Sequence, residues 1–277
     1  MKIRLVTDSG TDLPLEFAEK HNIEVVPLNV SFGDEAYADG VDMDHDLFYS
    51  KMASTDLLPK TSLPSPQAFL NAFNKSDSED SILCITISSA LSGTYQSAMI
   101  AKEMIKRKIE VIDSLHVSMG TGLQVMKAHE FIEAGLSFEE IKEKLMELRH
   151  TMQSFVAIDN LDNVIKGGRI SNWKGSIAKI MQIKPILKMA PDGSLKVVEN
   201  VRGRKKQLKR LIDFIQETGK DISQSSLSIL HSKASEADLS FIEQQIKTLF
   251  NPKNIIIGEL GPIMGSHGGF GAIAVLF

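Results

Sequence analysis

The sequence predicts an α/β protein of two α/β domains. The N-terminal one, over residues 1–150, is a mostly parallel three-layer sandwich; the C-terminal one, over 151–277, is a mixed sheet with helices. Three observations point there. Through the first half, short β-branched runs alternate with stretches whose apolar residues recur at helical spacing, the pattern of a parallel sheet covered on both faces. In the second half, Pro191-Asp192-Gly193 separates two strand-like runs, and such a turn joins antiparallel neighbours. A length of 277 residues also suits one or two domains, and the change of pattern favours two.

Residues 3–6 are an apolar run ending in Thr7-Asp8-Ser9-Gly10, a polar loop at a strand's carboxyl end, where open α/β sheets bind ligands. Pro14 suits the first turn of a helix that Leu13, Phe17 and Ala18 pack against the sheet. Residues 25–30 read as a second strand, with Pro27 marking an edge or an irregularity. Asp42-Met43-Asp44-His45-Asp46 imitates the start of a calcium loop. However, Leu47 stands where the turn glycine belongs and Ala53 where the closing glutamate belongs, so Asp44 is read as a helix N-cap. Thr61-Ser62-Leu63-Pro64-Ser65-Pro66 is a loop by its prolines, and Pro66 opens a helix with Phe69, Leu70 and Phe73 on one face.

Residues 82–87 form an unbroken buried strand that holds Cys84 as a core residue. It runs into Ser88-Ser89-Ala90-Leu91-Ser92-Gly93-Thr94, after which Tyr95, Ala98, Ala101 and Ile105 mark a helix. A strand, a small-residue turn and a helix start offer unpaired N–H groups to an anion. Ser92 belongs to such a site or is only the helix cap. Residues 110–113 read as a strand, and 118–134 and 138–148 as helices broken at Gly135.

Beyond the boundary, 154–158 read as a strand with Asp159 capping a helix, and Lys166-Gly167-Gly168-Arg169-Ile170-Ser171 as a close-approach loop. Residues 184–189 and 195–201 make the hairpin. Leu208, Leu211, Ile212 and Ile215 line a helix whose basic start, 202–206, reads as a solvated face. Residues 227–230 are a strand, and Leu239, Ile242, Ile246 and Leu249 a helix face. Strands at 255–257 and 272–277 then enclose the loop Gly261-Pro262-Ile263-Met264-Gly265-Ser266-His267-Gly268-Gly269-Phe270-Gly271. Its glycines let backbone approach a ligand, and His267 stands where it can donate a hydrogen bond or carry charge near neutral pH.

Apolar residues at 43% and charged ones at 24% describe a soluble globular chain, not a disordered one. A net charge of -4 gives no basic face for nucleic acid. One cysteine excludes a disulfide within the chain and fits a reducing compartment. No run approaches the ~18 apolar residues of a membrane span, and residues 3–6 are too short for a signal core, so a cytoplasmic location is expected. There is no Walker A sequence, no nucleophile elbow and no metal-ligand spacing among the histidines, and the glycines of 265–271 precede a strand where a dinucleotide fingerprint needs a helix. No cofactor, metal or catalytic residue is therefore expected. What recurs is polar loops at strand ends: 7–10, 61–65, 88–94, 166–171 and 261–271. Their hydroxyls, amides, arginine and histidine suit a carboxylate or phosphate.

Five stretches carry a family resemblance: Thr7-Asp8-Ser9-Gly10-Thr11-Asp12-Leu13-Pro14; Lys60-Thr61-Ser62-Leu63-Pro64-Ser65-Pro66; Ile87-Ser88-Ser89-Ala90-Leu91-Ser92-Gly93-Thr94-Tyr95; Asp159-Asn160-Leu161 with residues 166–171; and Gly261-Pro262-Ile263-Met264-Gly265-Ser266-His267. In this order, and over essentially the whole chain, they resemble the DegV family of bacterial fatty-acid-binding proteins. The departure is Gly268-Gly269-Phe270-Gly271, where the family pattern implies a proline-containing sequence. The resemblance implies a fatty acid buried between or within two α/β domains, its carboxylate held by hydroxyls matching Thr61 and Ser92. Ser62 and Gly93 flank these, and Arg169 and His267 complete the polar network. Members resembling fatty acid kinase B subunits present a long-chain fatty acid to a separate ATP-using kinase subunit, in phospholipid metabolism. Transient membrane contact is compatible with that partner set; nucleic acid is not. The residues alone leave open an enzyme in which Ser92 is nucleophile, His267 is base and Asp8 orients the histidine.

Overall fold

The computed structural model describes residues 2–159, 161–170 and 183–277; Asn160 and Ser171 of the motifs above lie outside the described residues. The chain folds as two units. The first comprises Met1–Met152, Pro191–Gly193 and Gly261–Ile263, the second Gln153–Ala190, Ser194–Leu260 and Met264–Phe277.

In the first unit the order is β1 (Ile3–Asp8), a 3-10 turn (Ser9–Thr11), α1 (Leu15–Lys20), β2 (Glu24–Val26), β3 (Asn29–Phe32), β4 (Glu35–Ala38), α2 (His45–Ser54), β5 (Lys60–Ser62), α3 (Pro66–Asn74), β6 (Ser81–Thr86), α4 (Thr94–Glu103), β7 (Ile109–Asp113), α5 (Met119–Glu133) and α6 (Phe138–Thr151). The main sheet runs β2-β1-β6-β7, every pair parallel. Period-two alternation divides its side chains between two cores. Leu5, Leu83, Ile85 and Ile112 pack with Leu13, Ala18, Val125, Ile141 and Leu145 of the α1, α5 and α6 side. Val6, Ile82, Cys84 and Val111 pack on the other face with Phe69, Phe73, Ala98 and Ala101 of α3 and α4. This is the expected three-layer arrangement. The chain leaves β1 toward β2 on one side, while β6 lies on the other. The carboxyl ends of β1 and β6, paired through Thr7 and Ile85, therefore flank a topological switch point. The loops opening there are 8–12 and 87–94.

The stretch 25–30, expected as one strand, is two. Pro27, with no N–H to give a ladder, separates β2 from β3, and β3 joins a second, antiparallel sheet in the order β4-β3-β5. Residues 60–62, expected as loop, are the short strand β5, with Thr61 paired to Val30.

The second unit contains β8 (Ser154–Ala157), α7 (Asp162–Lys166), β9 (Ile183–Met189), β10 (Leu195–Arg202), α8 (Arg204–Glu217), β11 (Ser226–His231), α9 (Glu236–Phe250), β12 (Asn254–Glu259) and β13 (Ile273–Leu276). Strand order is β10-β9-β8-β13-β11-β12, antiparallel except for β11 with β12. Phe155, Ile229 and Val275 meet Leu208, Leu211, Ile212 and Ile215 of α8 and Ile242 and Ile246 of α9 in one core. Asp159 does not cap a helix. α7 begins later, behind Leu161, and Asp159 pairs with Lys184 at 3.1 Å.

The stretch 261–271 is mostly helix and not the expected loop: α10 spans Pro262–Gly268. Pro262 suits a first helical position, where a missing N–H costs nothing. Gly269 and Gly271, at φ 67° and 79°, end it in a backbone region that side chains avoid.

Candidate functional site

Thr61, Ser62, Ser92 and Gly93 belong to the first unit, Arg169 and His267 to the second. In the first unit, β5 delivers Thr61 and Ser62 to the start of α4 through Leu63. A Cβ on Gly93 would come within 2.9 Å of Leu63 Cδ2, so close approach of the chain accounts for this glycine; its φ of -74° is open to any residue. Gly93 is also the N-cap position of α4 and supplies no capping side chain. Ser92, one residue earlier, takes up part of that role. Its Oγ accepts the Thr94 N–H over 3.3 Å and lies 2.8 Å from the Thr94 hydroxyl. The group combines hydroxyls with the positive end of a helix dipole and carries no full charge of its own. It can orient an anion by hydrogen bonds without neutralising it.

In the second unit, two adjacent glycines serve different ends. Gly167 lies at φ -69°, an ordinary helical value, yet a Cβ there would stand 2.5 Å from His267 Nδ1, 2.8 Å from its Cε1 and 3.0 Å from the Asn163 carbonyl oxygen. Gly168 has nothing within 4 Å but turns the chain at φ 71°. The first makes room for the imidazole; the second sends the chain to Arg169. The Arg169 guanidinium donates to the Gly167 carbonyl, and its N–H to Val164 O at 3.2 Å. Asn163 Nδ2 donates to Ser266 O at 3.3 Å, tying α7 to α10.

His267 Nδ1 has no solvent-accessible surface. Burial first, and then the Arg169 charge, push the imidazole down to about 4. Of the two roles expected for His267, donating a hydrogen bond or carrying charge near neutral pH, the lowered pKa leaves the first: the ring is neutral at pH 7. A glycine-rich loop had been expected to leave the ring unscreened, and instead the ring is largely buried.

The structure adds a third group, of which the sequence reading had singled out only Asp8. Asp8 accepts the N–H groups of Gly10 at 3.0 Å and Ile87 at 2.9 Å, so both its oxygens join the β1 and β6 loops. Burial pushes Asp8 up to about 7. Asp12, at φ 49°, accepts the Ser118 hydroxyl at 2.5 Å and the Gly261 N–H at 3.0 Å, and burial with Asp39 and Asp8 nearby pushes it to about 8. Asp39 is also pushed up to about 7 by burial, and the Ser9 hydroxyl bonds to it. Asp12 had a signal in its four-residue spacing from Asp8. Asp39 had none, because only the β4 to α2 connection carries it inward.

Among the described residues no group of three histidine, cysteine or acidic side chains is placed to hold a metal ion, and no helix is long and apolar enough to cross a membrane. A cavity of about 520 Å³ in the first unit is lined by Arg4, Leu15, Asn22, Glu24, Lys75 and Asp77. It opens beside the start of β2, away from the carboxyl strand ends, and its basic residues are already paired, Arg4 with Asp80 and Lys75 with Glu24.

The model of the DegV family, described as an uncharacterised protein family, matches residues 2–277. The chain belongs to the DegV family. It is 38% identical over 278 residues to a DegV domain-containing protein of Clostridium acetobutylicum, covering 100% of this chain and 98% of that one. A Thermus thermophilus DegV family protein, whose structure is described by its fatty acid binding, superposes with a TM-score of 0.90 at 27% identity, over 100% of this chain and 99% of that one. A Ruminococcus gnavus DegV protein with vaccenic acid reaches 0.91 at 26% identity, over 99% of each chain. The α/β class expected from the strand and helix alternation is the class of these DegV structures.

Proposed function

We propose that this DegV chain binds one long-chain fatty acid and presents its carboxylate to a separate ATP-dependent kinase subunit that forms the acyl phosphate. The observation supporting fatty-acid binding most directly is the likeness, over 99% of both chains, to a DegV structure containing vaccenic acid. In this reading the Thr61 and Ser92 hydroxyls are the carboxylate's hydrogen-bond donors; the close approach of Leu63 to Gly93 supports placing the two segments side by side.

Burial of each CH₂ contributes about 0.8 kcal/mol, so a chain of about sixteen carbons has ample driving force before the head group is counted. One hydrogen bond to a charged acceptor contributes about 1.5 to 3 kcal/mol, so Thr61 and Ser92 position the head group more than they retain the ligand. In the transfer, a carboxylate oxygen attacks the γ-phosphorus of ATP, the bond to the bridging oxygen breaks, and ADP leaves. Negative charge spreads over the transferring oxygens, where Arg169 supplies a cation and neutral His267 a hydrogen-bond donor. In this reading the DegV chain supplies the bound acid and the kinase subunit supplies the ATP site.

Native mass spectrometry of the purified protein, with extraction and identification of the acid, is the test, followed by titration with a homologous series. Affinity should climb with tail length, and a flat series overturns the binding mode. Steady turnover of an acyl ester chromogen, abolished by Ser92→Ala, would instead establish a serine hydrolase.

A further inference from the structure

The loop that carries Ser92 is held from inside by Ser88. Ser88 is fully buried, as is Thr94, whereas residues 89–93 between them are exposed or half-buried. All the polar groups of Ser88 are bonded. Its N–H donates to His116 O at 2.7 Å, its carbonyl accepts the Leu91 and Ser92 N–H groups at 3.1 Å each, and its Oγ accepts the Ala90 N–H at 3.3 Å. Ser88 thus caps a single turn whose last residue is Ser92, and Ser92 in turn serves the start of α4 through the Thr94 N–H.

The Ser88 hydroxyl proton goes elsewhere. It is donated to the Gly193 carbonyl at 2.7 Å, 105 residues away in the chain but within the same unit. Gly193 is fitted to that bond: at φ 76° it holds a backbone that side chains avoid, and a Cβ there would run into Ser88 Oγ and come within 3.3 Å of Leu115 Cα. A local cap needs only the Ala90 N–H; the bond to Gly193 fixes the whole turn against a remote segment. Ser89 adds a second tie, donating its N–H and hydroxyl to the Asp113 carboxylate at the end of β7, at 3.2 and 2.5 Å. Ala90 and Leu91 have no polar side chain, so the place of the Ser92 hydroxyl is inherited from Ser88 and Ser89.

We propose that Ser88 is a positioning residue for the fatty-acid carboxylate: tied to Gly193, it aims the Ser92 hydroxyl at the head group without touching the ligand. This rests on the reading that Ser92 donates to the carboxylate. A buried and fully bonded anchor holds the donor in place before the acid arrives, so binding does not have to order the loop. Removing the Ser88 hydroxyl takes a partner from both the Gly193 carbonyl and the Ala90 N–H, and a donor displaced by about 1 Å loses much of its alignment.

The test uses the full chain loaded with a long-chain fatty acid isotopically labelled at its carboxyl carbon. In Ser88→Ala the NMR resonance of the bound carboxyl should be displaced from wild type in the direction that Ser92→Ala produces, and the double variant should coincide with Ser92→Ala alone. In an assay with the purified kinase subunit of the same organism, kcat should fall about 10-fold in Ser88→Ala with KM for the loaded protein unchanged, and the double variant should be no slower than Ser92→Ala. A wild-type resonance and kcat in Ser88→Ala, or effects of the two serines that multiply in the double variant, overturn the positioning role and leave fatty-acid binding standing. If Ser88→Ala does not fold, Gly193→Ala decides, because it reaches the Ser88 hydroxyl from the other side: a displaced resonance upholds the role and a wild-type one overturns it. Displaced resonances without any phosphorylation of the wild-type protein uphold the positioning and overturn presentation to a kinase. A wild-type protein that retains no acid overturns the binding reading and this inference with it.

Discussion

The two groups of candidate residues reach their geometry by opposite means. Around Ser92 and Gly93, the parallel sheet brings small polar residues to the ends of β1 and β6, and the group carries dipoles but no charge. Around Gly167 and His267, space is cleared for one ring, which burial keeps neutral beside a charged arginine. The first group should respond to loss of a hydrogen bond, the second to a change of volume or charge.

The largest effect expected is from Gly167→Ala. Its Cβ would fall 2.5 Å from His267 Nδ1 and 3.0 Å from a backbone oxygen, so the ring or α7 has to move. Overpacking of this kind costs about 1 to 3 kcal/mol, and urea unfolding should show the upper part of that range together with loss of acyl-phosphate formation. Gly93→Ala meets only the far end of the Leu63 side chain and should cost less than 1 kcal/mol, at the low end for a side chain that can swing aside. Equal costs at the two glycines would remove the contrast.

Thr61→Ala and Ser92→Ala come next. Each should retain fatty acid after purification yet fall about 10- to 100-fold in phosphorylation, the equivalent of one charge-assisted hydrogen bond. Wild-type rates in both would refute their assignment to the carboxylate.

Arg169→Ala should lower acyl-phosphate formation about 10-fold with Tm and fatty-acid content near wild type. It should also raise the His267 pKa, because the arginine charge is one of the two causes holding it at about 4. An NMR titration in which the His267 shift midpoint does not move upward would contradict that placement.

The smallest effect concerns pH, and here the two units differ in sign. Asp8, Asp12 and Asp39 have folded pKa values of about 7, 8 and 7, above the unfolded carboxylate range. Their contribution to stability is complete below about pH 4 and is lost as pH rises through 7 to 8. His267 has a lowered pKa, so its contribution is present above the unfolded value of about 6.5 and is lost as pH falls toward 4. Asp39→Asn should remove part of the fall in Tm between about pH 4 and pH 7; a profile unchanged over that range would show that Asp39 does not titrate there.

How much was legible follows the range of the forces. The unbroken apolar run of β6, the Asp44 cap of α2 and the turn at Gly193 act over a few residues, and the sequence states them openly. The 88–94 loop with Ser92 was legible for the same reason, since a strand, a turn of small residues and a helix start are neighbours in the chain, whereas Thr61 was read as loop and lies in β5.

What only the tertiary structure decided depends on partners far away in sequence. β3 leaves β2's sheet because Val30 finds Thr61, not because Pro27 alone forbids continuation. The glycine-rich 261–268 stretch becomes helix against its propensity because burial of Gly261, Ile263 and Ser266 outweighs the entropy of fixing glycine. His267 is pushed down and Asp12 and Asp39 are pushed up because desolvation is set by everything packed around a group and leaves no mark on its neighbours in the chain.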